Sequence, residues 1–142
     1  DERADRRTVA FIAAAIDSGL PKPFVVNVGS ERSIRSGRQA MAEILSQAPK
    51  SDAVFCSSDL LALGALTEAR AQKINVPNQI SVMGFGDVPF VADMLPALST
   101  VRINGGKIGE LAAQYLMDRA EGKTIAEPIV NVGFSIIERD TA

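Results

Sequence analysis

Residues 52–87 read DAVFCSSDLLALGALTEARAQKINVPNQISVMGFGD, and this stretch decides the fold. Ala53 to Cys56 is a short continuous apolar run, the pattern of a strand covered on both faces. Asp59 to Gln72 carries Leu60, Leu63, Leu66 and Ala69 at helical spacing, and Ser58 or Asp59 is placed to cap its first turn. Ile80 to Phe85 is apolar again and runs into Gly86 and Asp87. A strand, a helix and a strand in that order imply a crossover, and a right-handed crossover makes the two strands parallel.

The alternation extends outward in both directions. Upstream, Asp5 to Asp17 holds Val9, Ile12, Ala13 and Ile16 on one helical face, with Gly19 as a stop. Pro21 and Pro23 forbid continuation, and Phe24 to Val28 (FVVNV) reads as a strand ended by Gly29 and Ser30. Ser36 to Ala48 reads as a helix with Met41, Ile44 and Leu45 inward and Pro49 closing it. Downstream, Phe90 to Leu98 is a loop with one helical turn, and Ser99 to Ile103 is a strand. Lys107 to Glu121 is a helix with Ile108, Leu111, Ala112, Tyr115 and Leu116 on one face, and Ile129 to Ile137 supplies one or two closing strands. The pattern predicts an α/β fold with a doubly wound, mainly parallel sheet.

Composition narrows the function. The 142 residues suit one domain, and 46% of them are hydrophobic. A net charge of −2 argues against a basic face that grips DNA or an acidic membrane. No apolar run approaches the roughly 18 residues of a membrane span, and no signal-peptide pattern opens the chain. The first residues, Asp1-Glu2-Arg3, lack an initiator methionine and suggest a fragment or a processed chain. The single Cys56 excludes an internal disulfide and reads as a small buried hydrophobe.

The absence of histidine removes Ser-His-Asp and Cys-His chemistry. Pro89 stands where a dinucleotide fingerprint starting at Gly84 needs its third glycine. Gly105-Gly106-Lys107 lacks the upstream glycine and the following Ser or Thr of a phosphate loop. These readings point away from an enzyme, a cofactor or a metal site, and towards binding. In open parallel sheets ligands sit beyond the carboxyl ends of strands. Three such ends are visible: Gly29-Ser30-Glu31, Ser57-Ser58-Asp59 and Gly84-Phe85-Gly86-Asp87.

From Asp52 onward the motifs occur in a dense order: SDxxAxGA from Ser58, VPxxISVxGFxD from Val76, PxLSTVR from Pro96 and IGxxA from Ile108. This run of about 90 residues resembles the effector-binding part of LacI/GalR-family bacterial transcription regulators. The resemblance implies a periplasmic-binding-protein-like type I fold, with two α/β subdomains and a ligand cleft between them. Residues 1–100 are then expected to be the C-terminal subdomain, residues 101–131 an excursion into the N-terminal one, and residues 132–142 the return. A DNA-binding domain would lie outside this chain. The ending NVGFSIIER, Asn131 to Arg139, is similar to the gluconate-operon branch of that family.

The resemblance also assigns residues. Arg7 matches an arginine that reaches the ligand, and a guanidinium offers a rigid fork to hydroxyls or a carboxylate. Ser58 matches the usual asparagine of an Asn-Asp pair, and Asp59 its aspartate, read here mainly as a helix cap. Glu31 and Arg32 lie where relatives place an aromatic platform. Gly86 stands where relatives often present a carboxylate to sugar hydroxyls, and Asp87 matches the position that holds the loop. A carboxylate a few ångströms from an anionic ligand is repelled by about 4 kcal/mol at an effective dielectric near 20. A glycine at 86 with Arg7 retained therefore suggests a sugar acid such as gluconate, or its phosphate; a plain turn is the other reading of Gly86, and Arg32 and Arg35 either add to the positive charge or are ordinary surface charges.

Leu60, Leu63, Leu66, Phe90 and Met94 lie where such regulators dimerise. The implied protein is a cytoplasmic homodimer that meets DNA only through its other domain and has no membrane contact. The competing reading is a periplasmic sugar-binding protein of a transporter, which shares the fold.

Overall fold

The computed structural model describes residues 2–142, so the start at Asp1 lies outside the described residues. Within them, α1 (Glu2–Asp17), α2 (Ile34–Gln47), β1 (Ala53–Phe55), α3 (Asp59–Ala71), β2 (Ser81–Gly86), β3 (Ser99–Ile103), α4 (Gly105–Ala120) and β4 (Phe134–Ile137) follow one another. A 3₁₀ turn, Pro89–Ala92, occupies the loop after β2. The sheet order is β1-β2-β3-β4. β1, β2 and β3 are parallel, with Phe55 opposite Met83 and Gly86 opposite Arg102; β4 runs antiparallel to β3, with Ser135 opposite Arg102.

Local sequence explains most boundaries. α1 closes on a Schellman pair, with Gly19 N–H donating to the Ile16 carbonyl and Leu20 N–H to that of Ala15. α2 opens on a capping box between Ser33 and Ser36, two residues before the start expected from apolar spacing.

Side chains alternate across the sheet. On one face Phe55 stacks on Phe11 of α1 and Phe85 lies under Arg7 of α1. On the other, Val82 packs against α3, and Gly84 backs onto Asp59. Helices therefore cover both faces of a sheet that is mainly parallel, as the alternation predicts. The core joins Met41 of α2, Ala62, Ala65, Leu66 and Ala69 of α3, Ile80 just before β2, Val82 of β2, Val91 and Leu98.

Three expectations change. Phe24 to Val28 forms no strand, and Phe24 and Val25 remain about half exposed. Pro23 brings no N–H donor, and β1 offers a neighbour only three ladder residues. The buried stripe of α3 runs through Leu61, Ala62, Ala65, Leu66 and Ala69, so Leu60 lies outside it and Leu63 at its margin. The apolar face of α4 is not buried: Ile108 and Leu116 are exposed, and α4 contains no buried residue. Among the described residues no helix is long and apolar enough to cross a membrane.

Candidate functional site

The β1–α3 turn and the β2–3₁₀ turn meet at the carboxyl end of the sheet. Ser58 caps α3, its hydroxyl oxygen accepting from Leu61 N–H at 3.3 Å. That oxygen keeps its own proton to donate.

Asp59 is the first residue of the helix rather than its cap, which corrects the sequence reading. Its carboxylate is buried and fastens two other segments. Oδ1 accepts the Thr100 hydroxyl at 2.6 Å and Oδ2 accepts Val88 N–H at 2.9 Å. Any side chain at Gly84 would run into Asp59 Oδ1.

Gly86 has φ +135°, and a Cβ there would lie 3.3 Å from Asp59 Oδ2. L side chains rarely adopt that backbone. Glycine at 86 thus has a structural cause of its own, independent of ligand charge. Asp87 follows with φ +59°, and its carboxylate binds Arg102 Nε at 2.5 Å and Arg139 Nη2 at 2.7 Å. Burial opposes ionisation of Asp87, yet hydrogen bonds and charge from Arg139 and Arg102 prevail and hold its pKa below the ordinary aspartate value.

Arg7 reaches the same end of the sheet from α1. Its guanidinium lies 4.1 Å from the centroid of the Phe85 ring. Its Nε is buried and has no hydrogen-bond partner. Burial first, then the nearby cations Arg32 and Arg3, lower its pKa from the ordinary arginine value; arginine keeps its charge all the same. Glu31 and Arg32 sit exposed on the turn before α2, where the Glu31 carbonyl accepts the Ser36 hydroxyl at 2.9 Å. Burial, reinforced by the Asp59 charge, pushes the Cys56 thiol up to about 12. At neutral pH that side chain is an unreactive thiol.

At this end of the sheet, called the mouth below, Arg7 lies over Phe85, Gly86 follows Phe85 and faces Asp59, Ser58 precedes Asp59, and the charge of Arg32 acts on Arg7. The dimer candidates divide. Leu60 and Phe90 are exposed, Leu63 and Met94 are partly buried, and Leu66 belongs to the core at 8% exposure. Leu95, not singled out from the sequence, is 83% exposed beside them in the chain. Thr100, Arg102 and Arg139 also escaped the sequence reading. Their partners are 41, 15 and 52 residues away, and no local pattern links such positions.

The whole chain, residues 1–142, matches the periplasmic binding protein-like domain family. The chain belongs to this family. Within it, the domain is of the LacI/GalR regulator type. It is 31% identical to the HTH-type transcriptional regulator GntR of Pseudomonas aeruginosa over 96% of this chain and 45% of the relative. It is 33% identical to the HTH-type transcriptional regulator IdnR of Escherichia coli over 99% of this chain and 42% of the relative. The crystal structure of transcription regulator GntR from Chromobacterium violaceum superposes with a TM-score of 0.85 at 29% identity, covering 99% of this chain and 52% of that one. This periplasmic-binding-protein-like domain thus spans about half the length of the proteins it matches.

Proposed function

We propose that the domain is the C-terminal effector-binding half of a LacI/GalR-type transcription regulator and that its effector is a sugar acid of the gluconate class. The observation that carries the ligand reading is the Arg7 guanidinium, held over the Phe85 ring at the carboxyl end of the sheet. Its planar fork donates most strongly to a charged carboxylate. The nearby Asp59 and Asp87 do not compete for Arg7, since one is engaged by Thr100 and Val88 and the other by Arg102 and Arg139.

The second wall of the cleft is then supplied partly by residues 101–131. The unburied apolar face of α4, together with Ile129 at 90% exposure, fits docking on an N-terminal subdomain outside this chain. Leu60, Leu63, Phe90 and Leu95 form the apolar material of a homodimer contact, from which Leu66 is withdrawn. DNA contact belongs to another domain of a cytoplasmic protein, in keeping with the HTH-type names of the relatives. Effector binding in the cleft biases the dimer between operator-binding states.

Calorimetry of the intact protein with gluconate, glucose and ribose tests the ligand reading. Gluconate is expected to bind at least tenfold more tightly than either sugar. Saturable binding of a neutral sugar with no response to gluconate overturns it.

A further inference from the structure

At the base of the mouth one carboxylate, that of Asp87, holds three segments of chain. Asp87 follows Gly86, so two successive residues with positive φ turn the chain sharply as it leaves β2. The Asp87 side chain is 7% exposed, and both its oxygens are engaged by guanidinium groups. Arg102 stands near the end of β3, where the chain departs for α4. Arg139 follows β4, by which the chain returns, and its Nη1 also donates to the Leu98 carbonyl at 2.7 Å. Its backbone N–H donates to Ser99 Oγ at 2.9 Å. Asp59 holds the same loop from behind through Val88 N–H.

The consequence follows from what α4 lacks. No residue of α4 is fully buried, and only Leu111, Tyr115 and Asp118 are partly covered, so packing within this chain fixes its direction weakly. Its position depends on the two tethers that carry it, β3 going out and β4 coming back. Asp87 ties both tethers to the mouth loop.

We infer that Asp87 is the positioning residue that sets the angle between the mouth and the excursion carrying α4, through its paired contacts with Arg102 and Arg139. This rests on the reading of the domain as one wall of a ligand cleft. A movement of the Gly86–Val88 loop is passed to both tethers at once, because one rigidly held carboxylate grips both guanidiniums. Asp87 acts through these arginines and needs no contact with the ligand.

The test measures distances between spin labels in the intact protein without effector or DNA, so its failure is separate from a failure to bind gluconate. One pair, at Gln72 and Gln114, spans the tethers; a control pair, at Gln39 and Gln72, lies on α2 and just beyond α3. All three positions are exposed. Cys56 is partly buried with its thiol pushed up to about 12, and it is replaced by alanine in every labelled variant. Asp87→Asn is expected to widen the Gln72–Gln114 distribution at least twofold while the control pair is unchanged. Arg102→Gln is expected to widen it in the same way, and the double variant to add little. Unchanged spanning distances in Asp87→Asn overturn the inference. Equal widening of both pairs also overturns it, since that marks general loosening rather than a lost angle.

Discussion

Gly37 of α2 and Gly64 of α3 face each other where the two helices cross, so closely that a Cβ on Gly64 would lie 2.7 Å from the Gly37 Cα. The same Cβ would strike the Ile34 carbonyl oxygen, and one on Gly37 would strike that of Leu61. Backbone atoms inside helices cannot rotate away as a side chain can. Gly64→Ala is therefore expected to cost about 2–3 kcal/mol, the upper part of the overpacking range. Urea unfolding should show a lower midpoint with an unaltered slope. A loss below roughly 0.5 kcal/mol would mean that the crossing opens freely, contrary to this packing.

Asp59 is expected to be a stability residue with a small direct role in ligand contact. Asp59→Ala strands the Thr100 hydroxyl and the Val88 N–H, each at about 1–3 kcal/mol. Thr100→Val removes one partner and leaves the other bond in place, so its cost should be clearly smaller. The double variant should fall short of the sum of the singles, since both touch one network. Strict additivity in denaturant unfolding would show that the two residues act separately.

Acid should expose the Asp87 ion pairs. Its folded pKa lies below the ordinary value, held there by Arg139 and Arg102 against the effect of burial. A carboxyl lowered on folding contributes stability in full above its unfolded value, about 3.9, and loses it as pH falls through the folded value. The stability gap between wild type and Asp87→Asn should be constant from pH 5 to 7 and should shrink below about pH 4. A gap that grows on acidification would contradict the assignment.

The fold was legible because burial on two faces leaves continuous apolar runs, and helices leave a spaced stripe. β3 was placed from Ser99 to Ile103, and the parallel β1–α3–β2 unit within about a residue at each end. The failures share one cause, that burial depends on what else is present. FVVNV has strand composition, yet the segment has no ladder. On α3 four leucines compete for one stripe, and period alone cannot say that Leu61 goes inside while Leu60 stays out. At the mouth, local motifs single out Arg7, Ser58 and Gly86 as candidates. The roles of Asp59 and the two arginines at Asp87 arise from contacts between distant residues, which spacing does not encode.

Gly86 can report on charge only if strain is held constant. At φ +135° any side chain strains the backbone by about 1–3 kcal/mol. Gly86→Asp compared with Gly86→Asn carries similar strain and differs in one charge. The aspartate variant should bind gluconate more weakly than the asparagine variant, while glucose distinguishes them little. Equal gluconate affinities would place position 86 away from the ligand's charge.

Arg7 provides the most direct check on the ligand. Its guanidinium carbon lies 4.1 Å from the centroid of the Phe85 ring. Three contributions can be separated by substitution. Arg7→Gln removes the charge and should weaken gluconate binding about 10- to 100-fold, as expected for a charge-assisted bond of about 1.5–3 kcal/mol. Arg7→Lys keeps the charge but loses the planar fork and the stacking, so its loss should approach that of Gln rather than wild type. Phe85→Leu removes the ring beneath the cation and should cost only about two- to fivefold, in line with a cation–π contribution of about 0.5–1 kcal/mol. Added salt should weaken wild-type binding more than Arg7→Gln binding, because only the former has this ion pair to screen. An Arg7→Gln variant with wild-type affinity for gluconate would remove Arg7 from the site.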